Sequence, residues 1–140
     1  MSRSSVVSFA LVIVLAVASG GCGQSTSEKR DLATARSIVH RFSEASGPKA
    51  CYLLTYKAVR ALYGKFTAPA AKARANCVGR ARLFRGETVE ITRSELLDPS
   101  TIKVNALDKD GKFSYQVNLR KGPTGRWRID LVTQAKVTTF

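Results

Sequence analysis

The sequence predicts an α+β domain in which helices are followed by an antiparallel sheet. Apolar residues recur at helical spacing over residues 28–81 and then alternate with polar residues from Val89 onwards. Two turn sequences, DKDG at 108–111 and GPTG at 122–125, separate the alternating segments as hairpin turns would. Helices first and hairpin-connected strands second are typical of the α+β class.

The first helix is predicted over residues 28–46. Its apolar positions repeat every three or four residues, at Leu32, Ala35, Ile38, Val39, Phe42 and Ala45. Ser25, followed three residues later by a glutamate, predicts a capping box at its start, with Asp31 as an alternative cap. Gly47 and Pro48 end the helix.

Two shorter helical segments follow. The first begins after Pro48, continues beyond a cap at Thr55 and stops at Gly64. Its apolar positions are Ala50, Cys51, Leu53, Leu54, Val59, Leu62 and Tyr63. The second runs from Pro69 to about Ala81, because proline can start a helix and alanine favours one.

The alternating segments predict strands that pair as an antiparallel meander. Their apolar positions are Val89 and Ile91, then Ile102, Val104 and Ala106, then Phe113, Tyr115, Val117 and Leu119, and finally Trp127, Ile129 and Leu131. The third segment is the clearest, because it alternates without interruption over eight residues.

The first residues form a leader. An apolar run of 13 residues, Val6–Ala18, follows Arg3. A spanning helix needs about 20 apolar residues, so the run favours a secretory signal peptide over an uncleaved anchor.

Small residues directly before a cysteine, here Gly20-Gly21-Cys22, resemble the lipobox of bacterial lipoproteins. This resemblance implies cleavage after residues 1–21, lipid on Cys22, and a tether over residues 22–27 before a domain at 28–140. The alternative is ordinary cleavage after Ala16-Val17-Ala18, which would release a secreted protein with a free thiol at Cys22.

The cysteine count fits the first alternative. If Cys22 carries lipid, Cys51 and Cys77 remain as an even pair in an oxidising compartment, where a disulfide is expected. The alternative is two unpaired core cysteines. With one histidine and no C-x-x-C spacing, no zinc set can be assembled, and the sequence predicts neither metal nor cofactor.

The segment ACYLLT at 50–55, the second cysteine and the W-R-I element at 127–129 resemble small extracytoplasmic actinobacterial lipoproteins with an NTF2-like (ketosteroid-isomerase-like, SnoaL-like) domain. The resemblance covers residues 28–135. It implies a curved sheet wrapped around N-terminal helices as a cone with a pocket. The candidate pocket residues are Phe42, Tyr115, Val117, Trp127 and Ile129, and the alternative is that they simply fill the core.

The catalytic candidates are few. The NTF2-like superfamily includes isomerases and cyclases with an Asp or His base, but no positions here match theirs. His40 is expected on the polar face of the first helix, Tyr115 in the core, and Asp130 facing away from Trp127 and Ile129. No nucleophile elbow, P-loop or H-E-x-x-H motif occurs, and Asp108 is expected in a hairpin turn and not in a calcium loop.

The net charge of +13 is concentrated in the helical half, where residues 29–85 hold 13 basic and 2 acidic residues. A solvated face and an attraction to anionic lipid headgroups or wall polymers are both consistent with this. The candidate contacts are Arg74, Arg80, Arg82 and Arg85. Nucleic acid is disfavoured by the compartment.

These observations predict a lipid-anchored protein on the extracytoplasmic face of the cell membrane. We expect a non-catalytic accessory or binding module for a small apolar ligand or a protein partner. The alternatives are a ketosteroid-isomerase-like enzyme and a secreted basic binder of anionic envelope polymers.

Overall fold

The computed structural model describes residues 23–45, 48–63, 69–81 and 87–137. They form α1 (Thr26–Glu44), a 3-10 helix (Pro48–Leu53), α2 (Tyr56–Tyr63), α3 (Ala70–Ala81), β1 (Val89–Asp98), β2 (Thr101–Asp108), β3 (Phe113–Lys121) and β4 (Trp127–Lys136). The predicted leader and Cys22 lie outside the described residues. None of the helices in the described ranges has the length and apolar character that crossing a bilayer requires.

The four strands form one antiparallel sheet in the order β1-β2-β3-β4. The predicted α+β class is confirmed, and each predicted strand is present. Gly111 and Gly125 adopt positive φ angles of 66° and 74° in the two predicted turns. The Asp108 carboxylate accepts a hydrogen bond from the backbone N of Phe113 at 2.9 Å, which makes the DKDG segment a hairpin turn.

The core lies between the helices and one face of the sheet. Alternation places the apolar side chains of β2, β3 and β4 on this inner face, where Ile102, Val104, Leu119 and Ile129 are completely buried. The helical stripe predicted for α1 packs onto them through buried Leu32, Ala35, Ile38 and Val39. The outer face carries mainly polar residues.

The start of α1 is fixed by two separate contacts. Ser25 caps the helix as predicted, because its Oγ accepts the backbone N–H of Glu28 at 3.2 Å. The alternative cap, Asp31, is wrong, because Asp31 lies within the helix and its carboxylate accepts the side chains of Lys121 at 3.0 Å and Trp127 at 3.1 Å. These two bonds hold the pKa of Asp31 below its ordinary value.

The segment after the 3-10 helix joins the helical half to the sheet. Leu54 leaves the helix to form a parallel bridge with Ile129 of β4, and the backbone N of Thr55 donates to the Ile129 carbonyl at 2.7 Å. Thr55 then caps α2, as predicted, by accepting the backbone N–H of Ala58 at 3.2 Å. Leu54 and Thr55 therefore attach the helical half to β4 through backbone contacts.

The sulfur atoms of Cys51 and Cys77 are 2.02 Å apart and form the predicted disulfide between the 3-10 helix and α3. Both residues are completely buried. The guanidinium of Arg74, one turn before Cys77, donates to the carbonyl oxygen of Cys51. The disulfide and this hydrogen bond therefore hold α3 against the same short segment.

Replacing both Cys51 and Cys77 by alanine is expected to lower the free energy of unfolding by about 3.5 kcal/mol, because the unfolded chain regains the freedom of the closed loop. Urea unfolding of the wild type and the double variant measures this difference. A reductant should destabilise the wild type to a similar extent and leave the double variant unchanged. Equal stabilities of the two oxidised proteins would contradict the prediction.

Candidate functional site

A cavity of about 310 Å³ opens between the C-terminal half of α1, the end of α2 and the inner face of the sheet. Its lining is mainly apolar and consists of Val39, Phe42, Ser43, Leu62, Tyr63, Glu87, Val89, Ala106, Tyr115, Val117, Val132 and Gln134. The volume is at the lower end of the range for small-molecule sites.

A bulge in β4 determines which of its residues reach the cavity. Ile129 pairs with Leu119, whereas Leu131 pairs with Asn118, so Asp130 is an extra residue in the strand. The bulge shifts the alternation by one position. Ile129 therefore faces the core and Val132, three residues later, faces the cavity.

The structure brings three of the five candidate pocket residues together. Phe42, Tyr115 and Val117 line the cavity. Trp127 and Ile129 do not, because Ile129 is completely buried in the core and Trp127 is bonded to Asp31 near the start of α1. The prediction that Trp127 and Ile129 line the pocket is therefore wrong, and both residues pack in the core.

Several cavity residues were not predicted. The sequence predicts Tyr63 as an apolar position of a helix, and Glu87 precedes the first strand, where no periodicity marks it. Gln134 faces inward only because of the bulge in β4, which the sequence does not reveal. The sequence signal that could have found Glu87 is its position two residues before Val89, on the same face of an extended segment.

Four polar groups border the apolar lining. In the described part of the chain, the hydroxyls of Tyr63 and Tyr115, the carboxylate of Glu87 and the amide of Gln134 make no hydrogen bond. Burial raises the pKa of Tyr63, and burial together with the nearby charges of Glu87 and Asp108 raises the pKa of Tyr115. Both phenols therefore remain protonated donors at neutral pH.

Asp130, a candidate for acid–base chemistry by residue type, lies in a structural ion pair outside this cavity. Its carboxylate accepts the hydroxyl of Thr55 at 2.9 Å and the ammonium of Lys57 at 2.8 Å. Partial burial raises the pKa of Asp130, but the bonds from Lys57 and Thr55 outweigh burial and hold this pKa below its ordinary value. Asp130 therefore positions α2 on β4 and is a carboxylate at neutral pH.

His40 also lies away from the cavity, in a shallow groove between α1 and β1 that Arg36 and Arg93 share. Arg36 donates to the Ser94 hydroxyl at 2.6 Å across this groove. Within the described ranges, no three His, Cys, Asp or Glu side chains are grouped as metal ligands.

The structure gives Arg74 a role different from the predicted contact with anionic surfaces. It is half-buried, and its guanidinium donates to the Cys51 carbonyl. The side chain of Arg80, together with Arg82 and Arg85, lies outside the described residues. The exposed basic side chains that the structure does describe in the helical half are Lys29, Arg30, Arg36, Arg41, Lys49, Lys57 and Lys72.

Two solved structures are similar to this chain. One is a domain of unknown function with a cystatin-like fold from Nostoc punctiforme, with a TM-score of 0.51 and 12% identity over 83% of this chain and 81% of that chain. The other is an NTF-2 like protein of unknown function from Silicibacter pomeroyi, with a TM-score of 0.48 and 14% identity over 81% of this chain and 100% of that chain. The first likeness shows the fold alone. The sequence matches no protein-family model and no curated protein.

Asp130→Asn is expected to lower the free energy of unfolding by about 1–2 kcal/mol at neutral pH, because two hydrogen bonds lose their charged acceptor. The folded-state pKa of Asp130 is lowered from the ordinary 3.8, so its stabilisation is complete above that pH and is lost as the pH falls through the folded-state pKa. Urea unfolding at several pH values measures the difference. Asp110→Asn, at an exposed turn, is the control with little effect. A difference that persists unchanged in strong acid would contradict the prediction.

Proposed function

We propose that the protein is a non-catalytic, NTF2-like binding module, anchored through lipid on Cys22 to the extracytoplasmic face of the cell membrane, that holds a small apolar ligand in the cavity. The observation behind this proposal is a preformed cavity with a mainly apolar lining. Such cavities, bordered by a few polar groups, are the usual form of small-molecule sites.

The packing around the cavity supports a ligand there. Leu62 is 40% exposed at its edge, and Phe42, Tyr63 and Val132 are only partly buried. The core below them is closed, because Val59, Val104 and Ile129 have almost no exposed surface. Apolar surface therefore remains uncovered at the cavity, and an apolar ligand would gain free energy by covering it.

The leader supports the membrane location. The proposed lipid on Cys22 is separated from the cap of α1, Ser25, by Gly23 and Gln24. Three residue steps span at most about 11 Å, so α1 would begin close to the bilayer. Exposed Lys29 and Arg30 in its first turns would then face anionic headgroups, each contributing up to about 1 kcal/mol.

A second candidate function is an isomerase of the ketosteroid-isomerase kind. The observation in its favour is that a carboxylate, Glu87, and two protonated phenols, Tyr63 and Tyr115, line one apolar cavity. These types supply a base and hydrogen-bond donors. Turnover of a β,γ-unsaturated ketone that Glu87→Gln abolishes would establish this function in place of a binding module.

The anchor is tested by a non-reducing intact mass of the protein from the host membrane fraction. We expect a chain that begins at Cys22, carries acyl groups and is two hydrogens short because of the disulfide. Cys22→Ala should remove the acyl mass and release the protein from the membrane fraction. A mass beginning at Ser19 without lipid would contradict the anchor and favour a secreted protein.

The cavity is tested with a filling variant. Val132→Phe places a larger side chain in the cavity and is expected to weaken the binding of decanol at least tenfold, because the added ring displaces the ligand. Leu131→Phe is the matched control, since Leu131 precedes Val132 in β4 but its side chain lies on the outer face. Titration calorimetry of the mature chain with Cys22→Ser, checked for a cooperative melt, measures both. Unchanged decanol binding by Val132→Phe, or no binding by the unfilled protein, would contradict the proposal.

A further inference from the structure

The cavity has features that the size and apolarity of its ligand do not explain. Three aromatic rings, those of Phe42, Tyr63 and Tyr115, line it together with the carboxylate of Glu87. Aromatic faces attract cations, and groups of such rings recognise alkylated ammonium ions. Elsewhere Asp31, Glu95 and Asp130 are held in ion pairs, whereas Glu87 has no ion-pair partner among the described residues.

The described residues that line the cavity differ in charge from the protein as a whole. The chain carries a net charge of +13, yet none of the described residues that line the cavity is lysine or arginine. Glu87 and Asp108 are both close enough to Tyr115 to raise the pKa of its phenol. Among the described residues that line the cavity, the charged one is therefore an acid, Glu87.

We propose that the ligand is an organic cation, with an apolar body in the cavity and an ammonium group beside Glu87 and the aromatic rings. This inference rests on the proposed binding function and names the ligand class. The ammonium would pair with the carboxylate of Glu87, and its alkyl groups would contact the rings of Tyr63 and Tyr115. A carboxylate or phosphate head would meet Glu87 instead and be repelled.

The experiment compares three ligands with the same decyl chain and different head groups: decyltrimethylammonium, decanol and decanoate, each below its micelle concentration. The mature chain with Cys22→Ser is titrated with each by calorimetry at neutral pH. We expect decyltrimethylammonium to bind most tightly and decanoate most weakly, although the net charge of the protein favours the opposite order.

Two matched pairs of variants test which side chains recognise the ammonium group. Glu87→Gln is expected to weaken decyltrimethylammonium binding about fivefold, as for an exposed ion pair, and to leave decanol unchanged. Glu90→Gln makes the same charge change on β1 away from the cavity and is the control. Tyr115→Leu should weaken binding of the ammonium more than Tyr115→Phe, which keeps the ring.

The outcomes separate this inference from the proposed function. Equal affinities for decyltrimethylammonium and decanol, or equal effects of Glu87→Gln and Glu90→Gln, would overturn the cationic ligand and leave an apolar binding site. Tightest binding of decanoate would overturn it as well. No binding of any of the three would overturn the proposed binding function itself.

Discussion

The joint between Leu54–Thr55 and β4 determines how the two halves of the domain fit together. Leu54 and Thr55 lie between the 3-10 helix and α2, and both contact Ile129 through their backbone. The Thr55 hydroxyl donates to Asp130 while it caps α2. One hydroxyl thereby positions a helix start and a strand. Because the disulfide begins at Cys51, three residues earlier, α3 is held through the same joint.

The cavity follows from this arrangement. At the end of the sheet away from the cavity, the Asp31 carboxylate holds α1 in place by accepting hydrogen bonds from Trp127 and Lys121. The inner face is thus covered where α1 begins and along the joint, while Tyr115 and Val132 face the cavity between the helices and the sheet. The bulge at Asp130 serves both regions, because it turns the Asp130 carboxylate toward Thr55 and returns Val132 to the inner face.

Local signals in the sequence predicted most of the fold. Alternation over Phe113–Leu119 and the glycines of the two turns are short-range features, and each strand formed where they indicated. The function of Asp31 was not predictable, because its partners lie about ninety residues away and a short acidic residue near a helix start also resembles a cap. Similarly, Trp127 has the inward alternation expected of a cavity residue. Only the register of β4 shows that it lies at the end of the sheet away from the cavity.

The positions of the proposed anchor and of the cavity constrain how a ligand would arrive. Val39 and Phe42 lie in the second half of α1, and 13 residues of helix separate Thr26 from Val39, a distance of about 20 Å. If lipid on Cys22 holds the start of α1 at the membrane, the cavity lies toward the far end of that helix. A ligand would then enter from the aqueous side instead of directly from the bilayer. Basic residues at the membrane end and a carboxylate at the cavity would in that case contact different partners. The net charge of the whole chain therefore describes neither of these two regions.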